Sequence, residues 1–175
     1  MSELFSIQLQ NRQQQGRDGV WLDLPTTTEQ VQAALRQIGI SSDNPQGLFI
    51  SGYFAEEEKR FAIPYNMVLA SNVDELNFLA SRLETLSTGE RAELNAALQA
   101  PQSELFSIGR ITDFPENVDY YVHLPDVHGP AQLGDYYLNR SGMVDMPEEW
   151  KGGIDTAQFG RYVAQQEQGA FTQYG

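Results

Sequence analysis

The sequence contains no cysteine, only two histidines, and only 11 lysines and arginines in 175 residues. Without cysteine there is no disulfide, no thiolate nucleophile and no cysteine-ligated zinc. No apolar run approaches the roughly 18 residues of a membrane span. The N-terminus also lacks the basic segment followed by an apolar stretch that marks a signal peptide. We therefore expect a cytoplasmic protein that makes no contact with a membrane.

Motifs of the common catalytic sites are also missing. The chain has no G-x-S-x-G sequence, no P-loop and no Rossmann glycine pattern. A hydrolase or metal site would have to use His123 with Asp119 and Asp126, and the spacing of His123 and His128 does not place both rings on one helical face. We expect no catalytic residue, no metal and no cofactor, and the enzyme is the least favoured interpretation.

Acidic residues, in contrast, are abundant. Twenty-four Asp and Glu oppose 11 Lys and Arg, which gives a formal net charge of −13, and the excess is spread along the whole chain. Such a field repels nucleic acid and anionic membranes and attracts basic surfaces. A duplex carries about one charge per ~1.7 Å of its axis, so 24 carboxylates would match roughly 40 Å of DNA. The charge favours a basic protein partner and argues against direct nucleic-acid binding, although acidity for solubility alone is the simpler alternative.

The first 61 residues have the pattern of a strand–strand–helix–strand unit. A threonine at 26–28 can cap a helix that buries Val31, Leu35 and Ile38 and ends at Gly39. Helical periodicity then dominates, with Ser87 and Glu90 spaced as a capping box. Strands are expected at residues 3–9, 20–25 and 48–53, and helices at residues 64–70, 72–86 and 88–99.

Two short sequences occur twice in the same order. SELFSI stands at residues 2–7 and 103–108, and WLDLP at 21–25 is matched by YVHLP at 121–125. The repetition predicts that the strand–strand–helix plan returns after the helical middle. Strands are therefore expected at residues 103–111 and 118–125, and helices near 131–139 and 156–165. The predicted fold class is α+β, with two units that each combine a short antiparallel sheet and a helix, flanking a small helical bundle. The expected domains are residues 1–61, 62–101 and 102–175.

Three parts of the sequence resemble the ArdA-type antirestriction proteins, from about residue 18 to residue 175. GVWLDLP, the helix ending in QIGI and LFISGY are similar to the first domain of that family, and NVDELNFLASRLETL is similar to its middle helix. The C-terminal region has the family's most distinctive pattern, which combines a Leu-Gly-Tyr helix, a Pro-Glu turn, a Gly-Arg helix and a G-x-F-T-x-x-G ending. The matching residues are Leu133, Gly134, Tyr137, Pro147, Glu148, Phe159, Gly160, Arg161, Gly169, Phe171, Thr172 and Gly175.

The resemblance implies an elongated, three-domain, dimeric DNA mimic that acts in a bacterial host cell and is encoded on a mobile genetic element. Such a protein occupies the DNA-binding groove of a type I restriction–modification enzyme, against its methyltransferase and specificity subunits, and blocks restriction of incoming DNA. Its carboxylates would replace phosphates against the lysines and arginines of the groove. The alternative left open by the residues is an acidic α+β interaction protein that binds another basic DNA-binding partner.

This interpretation assigns two sets of residues. The C-terminal domain is expected to mediate dimerisation, through aromatic and apolar side chains. The residues expected at that interface are Tyr136, Tyr137, Met143, Val144, Met146 and Trp150. The acids expected on the DNA-mimic surface are Asp18, Asp23, Glu29, Glu56, Glu57, Glu58, Asp74, Glu75, Glu84, Glu90, Glu93, Asp113, Glu116, Asp119, Asp126, Asp135, Asp145, Glu148, Glu149 and Asp155.

Overall fold

The computed structural model describes residues 3–14, 18–41 and 45–175 of the chain. Those residues form three β-strands, nine α-helices and two short 3-10 helices, so the predicted α+β class is confirmed. Ser2 of the first SELFSI copy and parts of two predicted loops, at 15–17 and 42–44, lie outside the described residues. The chain packs as two units, Met1–Arg91 with Glu104–Val118, and Ala92–Ser103 with Asp119–Gly175. The division into three domains stays a prediction.

The first unit contains an antiparallel sheet in which β1 (Phe5–Asn11) lies between β2 (Val20–Leu24) and β3 (Leu48–Phe54). Alternation along β1 buries Phe5, Ile7 and Leu9 on one face of the sheet. All three predicted N-terminal strands are confirmed, with β1 beginning and ending two residues later than expected.

The pairing of β1 with β3 contains a bulge. Gln8 lies opposite Gly52 and Leu9 lies opposite Ile50, so Ser51 is an extra residue in β3. The Ser51 hydroxyl donates to the backbone oxygen of Gln8 at 3.3 Å and to its side-chain Oε1 at 3.0 Å. The bulge shifts the alternation of β3 by one residue, so that Ile50 lies opposite Leu9 and both are buried.

Helices cover the buried face of the sheet. Helix α1 (Thr28–Gln37) and helix α3 (Val73–Leu83) contact β2, and α2 (Tyr65–Leu69) contacts β3. Thr27 caps α1, as expected from the threonine run, and Gly39 follows the helix with a φ of +70°. Helix α3 turns one apolar side inward. Its buried residues are Val73, Leu76, Leu79, Ala80 and Leu83.

The side chain of Asn77 joins α3 to the turn between β2 and α1. Its Oδ1 accepts a hydrogen bond from the backbone N–H of Thr26 at 2.7 Å, and its Nδ2 donates to the backbone oxygen of Thr26 at 3.1 Å. The side-chain amide of Asn77 therefore provides hydrogen-bond partners for both backbone groups of Thr26. Thr26 is half-buried and lies outside the sheet, so its backbone groups need partners other than a neighbouring strand.

The capping box predicted for α4 (Thr88–Gln99) is confirmed. The backbone N–H of Ser87 donates to the Glu90 carboxylate at 2.7 Å, and the backbone N–H of Glu90 is 3.3 Å from the Ser87 hydroxyl. A 3-10 helix at Glu57–Lys59 occupies the acidic turn that follows β3.

The predicted repetition of the strand–strand–helix plan is wrong. Residues 102–175, all of which the structure describes, contain no strand. The second SELFSI copy leads into α5 (Ile108–Thr112), with Ser107 as its N-cap, and α6 (Phe114–Asn117) follows. A 3-10 helix at Val118–Tyr120 and irregular backbone replace the strand expected at 118–125. The second α+β unit is therefore absent.

The second unit is built on a pair of helices. Helix α7 (Pro130–Asn139) packs against α9 (Thr156–Gln166), and the short helix α8 (Glu148–Lys151) lies between them in sequence. Both long helices match their predicted positions within one residue. The buried core of the unit consists of Val127, Leu133 and Val163, with Leu124, Tyr136, Tyr137, Phe159 and Ala164 packed around it.

Candidate acidic interaction surface

The 20 acids expected on the mimic surface are all accessible to solvent. Sixteen of them are exposed, and Glu84, Glu90, Glu93 and Asp135 are half-buried. None is buried, which agrees with the high cost of placing an unpaired carboxylate in a protein interior. Twelve lie in the first unit and eight in the second. Each unit therefore presents carboxylates that a basic partner can reach.

Ion pairs within the chain neutralise some of these carboxylates. Glu56 pairs with Lys59 at 3.0 Å, Glu116 with Arg82 at 2.7 Å, and Glu148 with a lysine at 2.6 Å. Asp135 lies 3.6 Å from Arg140. Exposed pairs of this kind contribute little to stability, about 0–1 kcal/mol each. Their main consequence here is that the paired acids add less negative potential to the surface than the unpaired ones.

Four other acids have no ion-pair partner among the described residues. In the described part of the chain, Glu57, Glu58, Asp74 and Glu75 form no ion pair. Glu57 and Glu58 lie in the 3-10 helix after β3, and Asp74 and Glu75 lie in the first turn of α3. These two exposed pairs are consequently strong candidates for contacts with cationic groups of a partner.

Hydrogen bonds at helix starts hold two further acids in the ionised form. The pKa of Glu29, in the first turn of α1, is lowered first by a backbone N–H and then by the hydroxyl of Thr27. The pKa of Glu90 is lowered by hydrogen bonds from the side chain and backbone of Ser87. Asp155 is the N-cap of α9 and accepts a hydrogen bond from the backbone N–H of Gln158 at 3.0 Å.

Both histidines hold the C-terminal segment of the chain. His123 Nε2 lies 2.7 Å from the backbone oxygen of Tyr174, and His128 Nδ1 lies 3.4 Å from that of Thr172. Asp119 and Asp126 are exposed and make no hydrogen bond to either ring. Over the described residues, no group of three or more His, Cys, Asp or Glu is placed to hold a metal ion. The contacts give the histidines a structural role in the second unit.

The residues expected at a dimer interface fall into two groups. Tyr136 and Tyr137 pack against the core of the second unit. The Tyr137 hydroxyl donates to the Glu167 carboxylate at 2.5 Å, and partial burial together with that carboxylate raises the pKa of Tyr137 to about 12. Met143 and Trp150 are 73% and 66% exposed, whereas Val144 and Met146 are half-buried. The segment around 143–150 therefore holds the part of this set that a second chain could cover.

Two glycines set the crossing of α7 and α9. A Cβ atom added to Gly134 would lie 1.9 Å from the backbone oxygen of Thr156, and one added to Gly160 would lie 1.8 Å from that of Pro130. The two glycines also face each other, because the Gly160 Cβ would approach the Gly134 nitrogen to 2.8 Å. The helices consequently touch backbone to backbone, which only glycine allows at both positions.

The two glycines of this crossing lie in a region that a protein-family model matches. A family model described as antirestriction protein (ArdA) matches residues 15–175. The chain belongs to the ArdA antirestriction protein family. A comparison with curated proteins finds no match. Among the described helices, none is both long enough and apolar enough to cross a membrane.

The ArdA match relates to the fold in two ways. It covers the Leu-Gly-Tyr helix α7 and the Gly-Arg helix α9, whose glycines form the crossing. It begins after β1, although β1 is the central strand of the sheet. The first strand of this chain therefore lies outside the matched range and still organises the sheet.

Sequence reasoning missed several residues of structural or surface importance. The hydrogen bonds of Asn77 to the β2–α1 turn had no sequence signal beyond its place in a family-like helix. The sequence shows Gly134 and Gly160 only as glycines of the family motif and does not indicate that the backbones of α7 and α9 touch at these residues. Trp21 lies in the predicted strand 20–25, and the sequence gives no signal that this residue is 49% exposed on the outer face of the sheet.

Proposed function

We propose that this protein is an acidic DNA mimic that occupies the DNA-binding groove of type I restriction–modification enzymes and blocks the restriction of incoming DNA. Membership of the ArdA family supports the antirestriction function. The observation that carries the mimic mechanism is that all 20 assigned carboxylates are exposed or half-buried, in a chain with a net charge of −13. The proposed activity is binding, without catalysis and without a cofactor.

The physical basis is the charge of the target groove. A groove that binds duplex DNA presents lysine and arginine side chains to a polyanion, and most of those contacts carry no sequence information. Carboxylates at a comparable charge density can replace phosphates without base readout. Binding then weakens as salt rises, because the attraction acts between charges that salt screens over about 8–10 Å.

We further propose that the active form is a homodimer in which residues 143–150 contribute to the interface. The exposure of Met143 and Trp150 supports this assignment. Aromatic residues and methionine are enriched at protein–protein interfaces relative to the rest of the surface. Trp150→Ala and Met143→Ala should shift the chain toward the monomer in sedimentation experiments, whereas an unchanged dimer would exclude this segment.

The direct test is DNA cleavage by a purified type I enzyme in the presence of increasing protein. We expect cleavage to be blocked at low salt and restored as salt rises. Undiminished cleavage at low salt would overturn the target assignment and leave another basic DNA-binding protein as the partner. A DNA methylation assay with the same components shows whether modification is blocked at the same concentrations.

Matched substitutions test the mimic mechanism itself. The variant Glu57→Gln, Glu58→Gln, Asp74→Asn and Glu75→Gln removes four unpaired charges and keeps the size and polar character of each side chain. Inhibition should weaken, and its dependence on salt should become shallower. The charge-preserving exchange of the same residues between Asp and Glu is the control and should retain inhibition. Equal potency of the neutralised variant and the control would contradict the mechanism.

A further inference from the structure

The outer face of the sheet carries an aromatic ring and a carboxylate side by side. On β2, Trp21 and Asp23 point away from the buried face, which places them about 6.5–7 Å apart along the strand. Trp21 lies opposite Gln8 of β1, and Asp23 lies opposite Ser6. The helices that contact the sheet cover its other face, so both side chains face solvent.

The Trp21 ring extends over the outer face of the sheet as far as β3. A Cβ atom added to Gly52 of β3 would lie 3.0 Å from Cη2 of Trp21 and 3.1 Å from Cβ of Gln8. The indole therefore reaches across β1 and rests on the one position of β3 that has no side chain. Trp21 as a residue is 49% exposed. Phe54, at the end of β3, is 58% exposed on the same face.

A hydrogen bond from β1 holds the Asp23 side chain in place. Its Oδ1 accepts a hydrogen bond from the Ser6 hydroxyl at 2.6 Å, which fixes the carboxylate beside the strand. Throughout the residues described, no lysine or arginine pairs with Asp23, and no guanidinium lies over the rings of Trp21 or Phe54. Among the described residues, no cation of this chain occupies either the ring or the carboxylate.

At two other places in the chain, an aromatic ring and a carboxylate together contact an arginine side chain. Arg110 lies 5.0 Å from the centroid of the Phe106 ring and 3.7 Å from the carboxylate of Glu104. Phe106 and Glu104 are two residues apart, as are Trp21 and Asp23. In the second unit, Arg140 combines a ring at 5.6 Å with a carboxylate at 3.6 Å. A guanidinium favours such sites because it stacks on aromatic faces while it donates to a carboxylate.

The outer sheet face already holds one arginine of this type. Arg12 lies 5.2 Å from the centroid of the Phe49 ring, and Phe49 is opposite Gln10 of β1. The surface that presents Trp21 and Asp23 is therefore suited to guanidinium stacking, and an arginine already stacks on a ring of β3, two strands away.

We propose that Trp21 and Asp23 form a receptor for an arginine side chain of the protein partner. This inference deepens the proposed function and rests on it for the identity of the partner, since a groove that binds DNA is rich in arginine. The indole would take the flat face of the guanidinium, and Asp23 would accept hydrogen bonds from its edge. Lysine fits less well, because its ammonium lacks the planar surface that stacks.

The binding test uses peptides and the emission of one tryptophan. In a Trp150→Phe background, Trp21 is the only indole of the chain. An oligoarginine peptide should change the Trp21 emission saturably at physiological salt, and an oligolysine peptide of the same length should bind more weakly. Trp21 emission that responds equally to both peptides would overturn the proposal.

Substitutions then separate stacking from simple apolar contact. Trp21→Leu keeps an apolar side chain without a π face, and Asp23→Asn keeps the acceptor for Ser6 without the charge. Each should weaken inhibition of the type I enzyme by about 2- to 30-fold, the range expected for a cation–π contact or a charged hydrogen bond. Tyr65→Leu, which removes another exposed ring with no acid within two residues, should change it less than about twofold.

The outcomes distinguish this inference from the proposed function. If the unaltered chain does not inhibit the type I enzyme, the proposed function fails, and the peptide titration still decides whether the receptor exists. If the chain inhibits but Trp21→Leu inhibits equally well, the receptor is wrong and the function stands. Circular dichroism checks the fold of each variant, and Trp21→Phe, with a smaller ring, should fall between Trp21 and Leu if Trp21→Leu proves unstable.

Discussion

Replacing Gly160 with alanine should destabilise the second unit, because the α7–α9 crossing has no room for a methyl group. The added Cβ would lie 1.8 Å from the backbone oxygen of Pro130. Both contacting groups are backbone atoms of regular helices, so neither can rotate away as a side chain would. Relief requires the helices to separate by more than 1 Å at their closest point, since carbon–oxygen contacts below about 3 Å are strongly repulsive.

The loss of stability can be worked out from the packing that is disrupted when the two helices separate. The buried cluster at this crossing contains Val127, Leu133 and Val163, and two of these lie on the separating helices. A gap of 0.5–1 Å already forfeits about a quarter to a half of each dispersion contact. Overpacking of this kind costs about 3 kcal/mol or more, and the better helix propensity of alanine returns about 1 kcal/mol. We expect a net loss of about 2 kcal/mol, or roughly 4–8 °C in Tm for a chain of this length.

The assay is urea and thermal unfolding followed by circular dichroism. Gly89→Ala in α4 is the matched control, because a Cβ there meets nothing within 4 Å, and it should leave the chain equally or more stable. Gly134→Ala should behave as Gly160→Ala does, and the double variant should cost less than the two single variants together, since one separation accommodates both methyl groups. A Gly160→Ala variant as stable as Gly89→Ala would refute the backbone-to-backbone crossing.

Three further results are expected. Asn77→Ala should lower the free energy of unfolding by about 1–3 kcal/mol, because both backbone groups of Thr26 lose their partner. Asn77→Asp should recover part of that free energy. An Asn77→Ala variant with no loss of stability would mean that water replaces the amide. Burial raises the pKa of Tyr53 to about 12, and the pKa of Tyr137 is also raised to about 12. Because the usual tyrosine pKa is 10.0, both protonated hydroxyls stabilise the fold below pH 10.0. That stability is lost as the pH rises through about 12. The double Tyr→Phe variant should therefore unfold less readily than the unaltered chain in alkaline urea titrations, and parallel curves would exclude these groups. Asp155→Ala should cost about 1 kcal/mol through loss of the α9 cap, whereas Asp155→Asn should cost little, and equal losses would assign the effect to charge alone.

The first half of the fold was predictable because local pattern and tertiary packing agree there. Alternation in β1, the threonine cap of α1 and the Ser87–Glu90 box each act through contacts within a few residues, and the structure confirms all three. Local signals of this kind do not depend on what packs against the element. Element positions in this region were therefore recovered to within a few residues.

The second SELFSI copy shows the limit of that reasoning. In the first copy, alternation continues to Leu9 and the segment pairs as a strand. In and just after the second copy, the buried residues Leu105, Ile108 and Ile111 recur every third residue and follow helical periodicity. Ser107 then serves as a helix cap instead of a strand residue. The flanking residues decide the structure, so identical hexapeptides do not imply a repeated unit.

The candidate surface was predictable in composition and not in detail. Exposure of the carboxylates follows from their desolvation cost, which applies wherever the chain folds. Which acids are paired depends on contacts between distant residues, such as Arg82 with Glu116, and no local pattern encodes those. The receptor at Trp21 likewise depends on Gly52, which lies two strands away in the sheet.

Several acids that we assign to the mimic surface also stabilise the fold. Asp155 caps α9, Glu90 completes the capping box of α4, and Asp74 and Glu75 lie in the first turn of α3. A helix N-terminus carries about half a positive charge, so a carboxylate there is stabilised by roughly 0.3–1 kcal/mol. This placement offsets part of the self-repulsion that a net charge of −13 imposes on the folded chain. Alanine substitutions at these positions would therefore remove a cap and a charge together. Amide substitutions keep the polar side chain and remove the charge, so their effect on stability is limited to the lost interaction with the helix N-terminus, about 0.3–1 kcal/mol.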